Sequence, residues 1–148
     1  MHKTNGFTLL EVLLVLAISS LLLVFVAPAL YNSISGRTLP KATQALATAL
    51  RHSHSQAINA SVSASLLLDV KQRSYQLSDS DKIYQLPEEL DLTLLTGSGF
   101  VQGASTGAIF FYPDGSSSGG RISLEHGDRQ QQIHINWLTG EVVIDNDS

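Results

Sequence analysis

The residue in this chain with the clearest chemical purpose is Glu11, the one charged side chain in the run from Phe7 to Leu30, FTLLEVLLVLAISSLLLVFVAPAL. An ionisable group inside a membrane-length helix costs about 2.5 to 3.5 kcal/mol, so such a group usually has a partner. Glu11 falls one helical turn after Phe7 and on the same face, where it can meet a positively charged amino terminus. If that amine belongs to a neighbouring chain, the unpaired carboxylate is an assembly signal. The alternative is a carboxylate that snorkels to the interface or is protonated, with no further role.

The other reactive residue types make weaker patterns. His52 and His54 are two apart on a helical stretch, so they point to different faces and read as solvated rather than as a metal pair. His134 alternates with Ile133 and Ile135 and belongs to a polar face, and His126 sits in the charged turn Glu125-His126-Gly127-Asp128-Arg129. Asp79 and Asp81, Glu88 and Glu89, and the tail Asp145-Asn146-Asp147 lack the ligand density of a dedicated calcium site. The serines include no Gly-x-Ser-x-Gly elbow, and the glycines of Pro113-Asp114-Gly115 and Gly119-Gly120 are followed by no Walker-type lysine. These features predict no enzyme, no cofactor and no bound metal.

The elements that must position Glu11 follow from hydropathy. The 24 residues from Phe7 to Leu30 form a helix about 36 Å long, enough to span a bilayer. That run exceeds the apolar core of a secretory signal, despite a weak cleavage-like Ala27-Pro28-Ala29. Ser19 and Ser20 can bond back to helix carbonyls. Pro28 should bend or loosen the helix, and Gly36 and Pro40 permit a second irregularity. Then the pattern turns amphipathic, with Leu39, Ala42, Leu46, Ala49, Leu50 and Ile58 on a docking face and Arg37, Lys41, Gln44, Thr48, Arg51 and Ser55 opposite.

Beyond Ala60 short apolar runs alternate with turn signals, which predicts strands over 62–70, 74–77, 82–86, 90–95, 108–112, 121–125, 131–137 and 141–144. Ile133, Ile135 and Trp137 should share a buried face, with Thr139-Gly140 turning the chain back. Pro113-Asp114-Gly115 reads as part of a hairpin connection, and 97–107 as a surface loop that partners could order. About ninety residues of sheet make a marginal core, so docking of the amphipathic helix should be required for stability.

The run Asn5-Gly6-Phe7-Thr8-Leu9-Leu10-Glu11-Val12 resembles the signal of type IV pilins and type II secretion pseudopilins. The stretch from Phe110 to Leu124, with Ile133-His134-Ile135 and Thr139-Gly140, resembles the H-class minor pseudopilins of type II secretion and related minor type IV pilins. The resemblance implies a pilin-like α+β fold, a long N-terminal transmembrane helix packed on an antiparallel β-rich domain. It divides the chain into a cytoplasmic leader (1–6), a transmembrane helix (7–30), an amphipathic helix (31–60) and a periplasmic β-rich domain (61–148). It further implies cleavage by prepilin peptidase after Gly6, methylation of the new terminus at Phe7, an assembly role for Glu11 and a helix irregularity at Pro28. The partners implied are other pseudopilins, major and minor, near the filament tip, and the inner-membrane secretion platform with its cytoplasmic ATPase.

Lys3 in an acid-free leader agrees with a cytoplasmic N-terminus and an inner-membrane, single-pass topology, although Arg37 and Lys41 lie on the other side. The net charge of −4 and the acidic C-terminus speak against nucleic acid as a partner, which disfavours the alternative of a minor type IV pilin for pilus initiation or DNA uptake. With no cysteine, the fold stands without disulfides.

Overall fold

The computed structural model describes residues 8–96, 99–100 and 105–145, with the backbone alone over 23–36 and 99–100. The chain divides into two units, Met1–Arg37 and Thr38–Ser148. One helix, α1 (Leu9–Ala60, 52 residues), has its beginning in the first unit and its end in the second, with helical backbone through Pro28, Gly36 and Pro40.

In the first unit Thr8 caps the helix. Its Oγ1 accepts the Glu11 amide at 3.3 Å, and its carbonyl accepts the amides of Glu11 at 3.0 Å and Val12 at 3.2 Å. Ser20 Oγ donates back to the Leu16 carbonyl at 2.8 Å, as its place in an apolar helix requires. Every described side chain from Thr8 to Leu22 is exposed, an apolar surface with no cover of its own. Among the described residues no helix is long and apolar enough to cross a membrane. Phe7 and the side chains of the expected span beyond Leu22 lie outside the described residues.

In the second unit α1 buries Leu39, Ala42, Thr43, Leu46, Ala47, Leu50, Ser53 and Ala57, steps of three and four residues that make one stripe. Ala49 lies half-buried at its margin, but Ile58 is exposed and Ala57 takes its place, because the stripe continues from Leu50 through Ser53 to residue 57. Thr43 Oγ1 donates to the Leu39 carbonyl at 2.9 Å, which satisfies a hydroxyl in the core. The helix stops at Ser61, whose φ of 54° leaves helical geometry.

Among the described residues nine strands follow: β1 (Ala64–Asp69), β2 (Ser74–Leu77), β3 (Ile83–Gln85), β4 (Asp91–Thr96), β5 (Gly99–Phe100), β6 (Thr106–Phe111), β7 (Gly120–His126), β8 (Arg129–Ile135) and β9 (Val142–Asp145). They form two antiparallel sheets, ordered β3-β2-β1-β6 and β5-β4-β7-β8-β9. The stripe of α1 shares one core with Leu66, Leu68, Tyr75, Ile109 and Phe111 of the first sheet and Leu92, Leu94, Ile122, Leu124, Ile133 and Val142 of the second. Gly127, at φ +60°, opens the two-residue turn from β7 to β8, where a type II′ hairpin needs a residue free to take positive φ.

Three expectations are corrected. Trp137 is 67% exposed rather than buried, because β8 ends at Ile135 and Asn136 starts a turn that swings the indole out of alternation. The 113–119 segment does not join paired strands. It folds back on β6 through a bridge from Phe111 to Ser117 and then carries the chain across to the other sheet. Within the expected loop at 97–107, Gly99–Phe100 pairs with β4 as a short edge strand, and residues 101–104 lie outside the described residues.

Candidate functional site

Of the residues expected to act in processing, Gly6 and Phe7 lie outside the described residues, and Glu11 is the first that can be placed. It sits in the first turn of α1 and is exposed. Thr8 and Glu11 have the spacing of a capping box, N-cap and third helical position. An acid in the first turn is also favoured by the partial positive charge of the free amides there. The local helix therefore supports a carboxylate at this position, beside whatever positive group approaches the N-terminus. Pro28, the expected irregularity, lies where only the backbone is described.

The stretch that resembles the H class comes together with the end of α1 at one end of the second unit. His54, half-buried, places Nε2 2.9 Å from the Gly115 carbonyl and its ring 5.5 Å from that of Phe111, tilted by 51°. The carbonyl accepts, so Nε2 carries the proton. Ser117 joins the 112–119 loop to the turn after β8, its amide donating to the Trp137 carbonyl at 2.8 Å and its Oγ to the Asn136 carbonyl at 2.9 Å. Asn136 organises that turn. Its Oδ1 accepts the amides of Leu138 and Thr139, and its carbonyl accepts the Gly140 amide at 2.9 Å.

Gly140 has φ +66°, and a Cβ there would stand 2.5 Å from both the Gly115 carbonyl oxygen and His54 Nε2. Thus the glycine permits the turn and also lets helix, loop and turn touch. In the loop, Asp114 Oδ1 accepts from Ser116 Oγ at 2.6 Å and from its amide at 3.0 Å, and these bonds hold the carboxyl below its usual range.

His54 is therefore not solvated as expected, whereas His52 is exposed and bonds Asp79 Oδ2 at 3.0 Å. The two rings diverge as their spacing requires. Helical phase carried the missed signal: residue 54 follows buried Leu50 by four and precedes Ala57 by three, beside the apolar stripe, whereas residue 52 does not. Arg51, expected on the polar face, donates Nη2 to the Val142 carbonyl at 2.9 Å and ties the helix to β9.

This arrangement can fix surfaces in place, and its counterparts among known proteins are secretion and pilus subunits. Residues 42–140 match the family described as Type II transport protein GspH, and residues 1–27 match the prokaryotic N-terminal methylation motif. The Type II secretion system protein H of Xanthomonas campestris pv. campestris is 38% identical over 142 residues, covering 95% of this chain and 83% of that protein. In fold, the chain is similar to the minor pseudopilin EpsH from the Type 2 Secretion System of Vibrio cholerae, at 17% identity and a TM-score of 0.58 over 74% of this chain and 97% of that one. It is similar also to the type IV minor pilin FimU of Pseudomonas aeruginosa, at 12% identity and a TM-score of 0.57 over 80% and 92%. The methylation motif at one end and the match across helix, loop and turn at the other place this chain in the GspH family of type II transport proteins.

Proposed function

We propose that the chemistry of this chain is assembly: it is a minor pseudopilin, a structural subunit of the type II secretion pseudopilus through which folded proteins leave across the outer membrane. The observation that carries the reading is the presence in one chain of a methylation motif over residues 1–27 and a GspH match over residues 42–140. Prepilin peptidase cuts after Gly6, and Phe7 becomes the methylated terminus. The apolar segment, 7–30, anchors the chain in the inner membrane, with the leader cytoplasmic and the β-rich domain periplasmic. Glu11 supplies the carboxylate that meets the terminal amine of a neighbouring subunit, and Pro28 lets the helix adjust as it leaves the bilayer.

The partners on this reading are the other pseudopilins, prepilin peptidase and the inner-membrane platform. A minor type IV pilin is the second reading, favoured by the likeness in fold to FimU. Fold alone does not separate the two, and the 38% identical relative is a secretion protein.

The test is Glu11→Ala in cells that carry the full secretion machinery. The variant should insert and lose its leader normally, because a lone carboxylate opposes insertion rather than aiding it. In the filament it leaves a neighbour's amine unpaired in a low-dielectric setting, at a cost of about 3 to 5 kcal/mol. Co-purification with other pseudopilins and secretion should therefore fall together. Normal incorporation with normal secretion removes Glu11 from the mechanism. A strain lacking the chain that secretes normally but makes no pili moves the assignment to the second reading.

A further inference from the structure

The end of the second unit that lies at the C-terminus of α1 is apolar and anionic. Trp137 is 67% and Leu138 62% exposed at the tip of the turn after β8. Ile58, Val62 and Tyr112 are exposed as well. The segments that bear them are held together by the His54–Gly115 and Ser117–Trp137 bonds, and Ile58 Cδ1 lies 3.9 Å from where a Cβ on Gly115 would stand. The charged neighbours are Asp114 and Glu141, both exposed, and Arg51, whose guanidinium is engaged by the Val142 carbonyl at 2.9 Å. No lysine or arginine occurs in residues 52–65, 110–120 or 130–145. A tryptophan held on a braced turn, rather than on a free loop, loses little entropy on docking and suits the centre of an interface.

The same chain carries the complementary charge elsewhere. Residues 31–50 contain Arg37 and Lys41 and no acid at all, and Lys41 is exposed where the domain's part of α1 begins. Along the helix Lys41 and Ile58 are roughly 25 Å apart, so one chain cannot bring its basic start onto its own anionic end. A contact between the two is heterologous, head to tail, and extends into a filament rather than closing into a dimer.

We propose that this end docks another pilin-type subunit through the basic opening turns of that subunit's domain helix, with Trp137 and Leu138 as the apolar anchor and Asp114 and Glu141 as the anionic rim. The proposal rests on the filament reading and names the surface that the filament uses. Opposite charge at the rim sets orientation and register, and the buried tryptophan supplies the affinity.

The test places the photo-reactive residue p-benzoylphenylalanine at Leu138 of the full chain, in cells with the intact secretion machinery, and maps the cross-linked peptide. It should come from the residues just after the membrane segment of a pilin-type subunit, a second copy of this chain included. Trp137→Ala should cut the yield about tenfold or more, the loss expected of a central anchor. Asp114→Lys with Glu141→Lys should abolish it, and reversing the cross-linked Lys or Arg to Glu in the partner should restore it. Trp137 and Leu138 are exposed, so Trp137→Ala and a second variant, Leu138→Asp, should keep wild-type circular dichroism and protease resistance. A cross-link to lipid, to an exported protein or to a partner's sheet, or none at all, overturns the proposal. If leader cleavage and a secretion defect on deletion persist in that case, the filament reading stands; if they are absent too, that reading falls with it.

Discussion

Gly140 lies beneath the His54 ring at φ +66°, a position where an alanine meets two separate penalties. The left-handed backbone costs a residue with a Cβ about 1 to 2 kcal/mol. Displacing His54 and the Gly115 carbonyl adds overpacking of about 1 to 3 kcal/mol. Gly140→Ala should therefore lower the stability of the domain by about 2 to 5 kcal/mol in urea. His54→Ala should recover part of that loss when combined with it, because the ring is one of the two obstacles. Ser53 gives the opposite sign. It is buried, and among the described residues its hydroxyl has no hydrogen-bond partner, so Ser53→Ala should raise stability by about 1 kcal/mol. Tyr75, stacked on Tyr84 with centroids 5.0 Å apart, has its hydroxyl pKa raised by burial and then by Tyr84. The folded state prefers the protonated phenol, so this stability is complete below pH of about 10 and lost as pH rises through the folded value. Alkaline titration of Tyr75→Phe should show a shallower loss of stability than the wild type.

Among the elements, α1 and the strands were legible to different depths. Leu39, Leu46 and Leu50 announce a docking face because helical period and apolarity coincide, and all three are buried. Leu46 and Leu50 have no exposed surface, so replacing either by alanine should cost about 2 to 5 kcal/mol, read from urea midpoints. The strand cores were legible for the same reason with period two, as at β2, where Ser74–Leu77 matches residue for residue. Trp137 was misread because alternation predicts a face only while the strand lasts, and Asn136 ends it with side-chain bonds that no period encodes. The division into two sheets was not legible either, since the Ser/Gly segment after Tyr112 looks like a hairpin locally and its destination is decided by long-range pairing. Likewise the His54–Gly115 contact joins residues 61 positions apart, and nothing local marks it.

At the scale of the whole molecule, contacts between distant parts of the chain bear on the order of events. Arg51 and Val142 are 91 residues apart, and the Leu46–Leu50 stripe shares its core with Ile133, Ile135 and Val142. In the first sheet, β1 must wait for β6, which is made only after β2 to β5. Contacts of such separation make folding slow, because loop-closure entropy is lost before any pairing repays it. A chain made from its N-terminus thus produces its docking helix first and the partners of that helix last. Ending the chain at Asn136, which keeps β1 to β8 but removes Val142, should leave α1 far less protected in hydrogen exchange, and not merely trim one edge. Protection of α1 equal to that of the full chain would refute this. The consequence is temporal: until the final residues emerge, the apolar stripe from Leu39 to Ala57 is a newborn surface without its cover, and the interval before β9 arrives is when this protein most needs a chaperone's shelter.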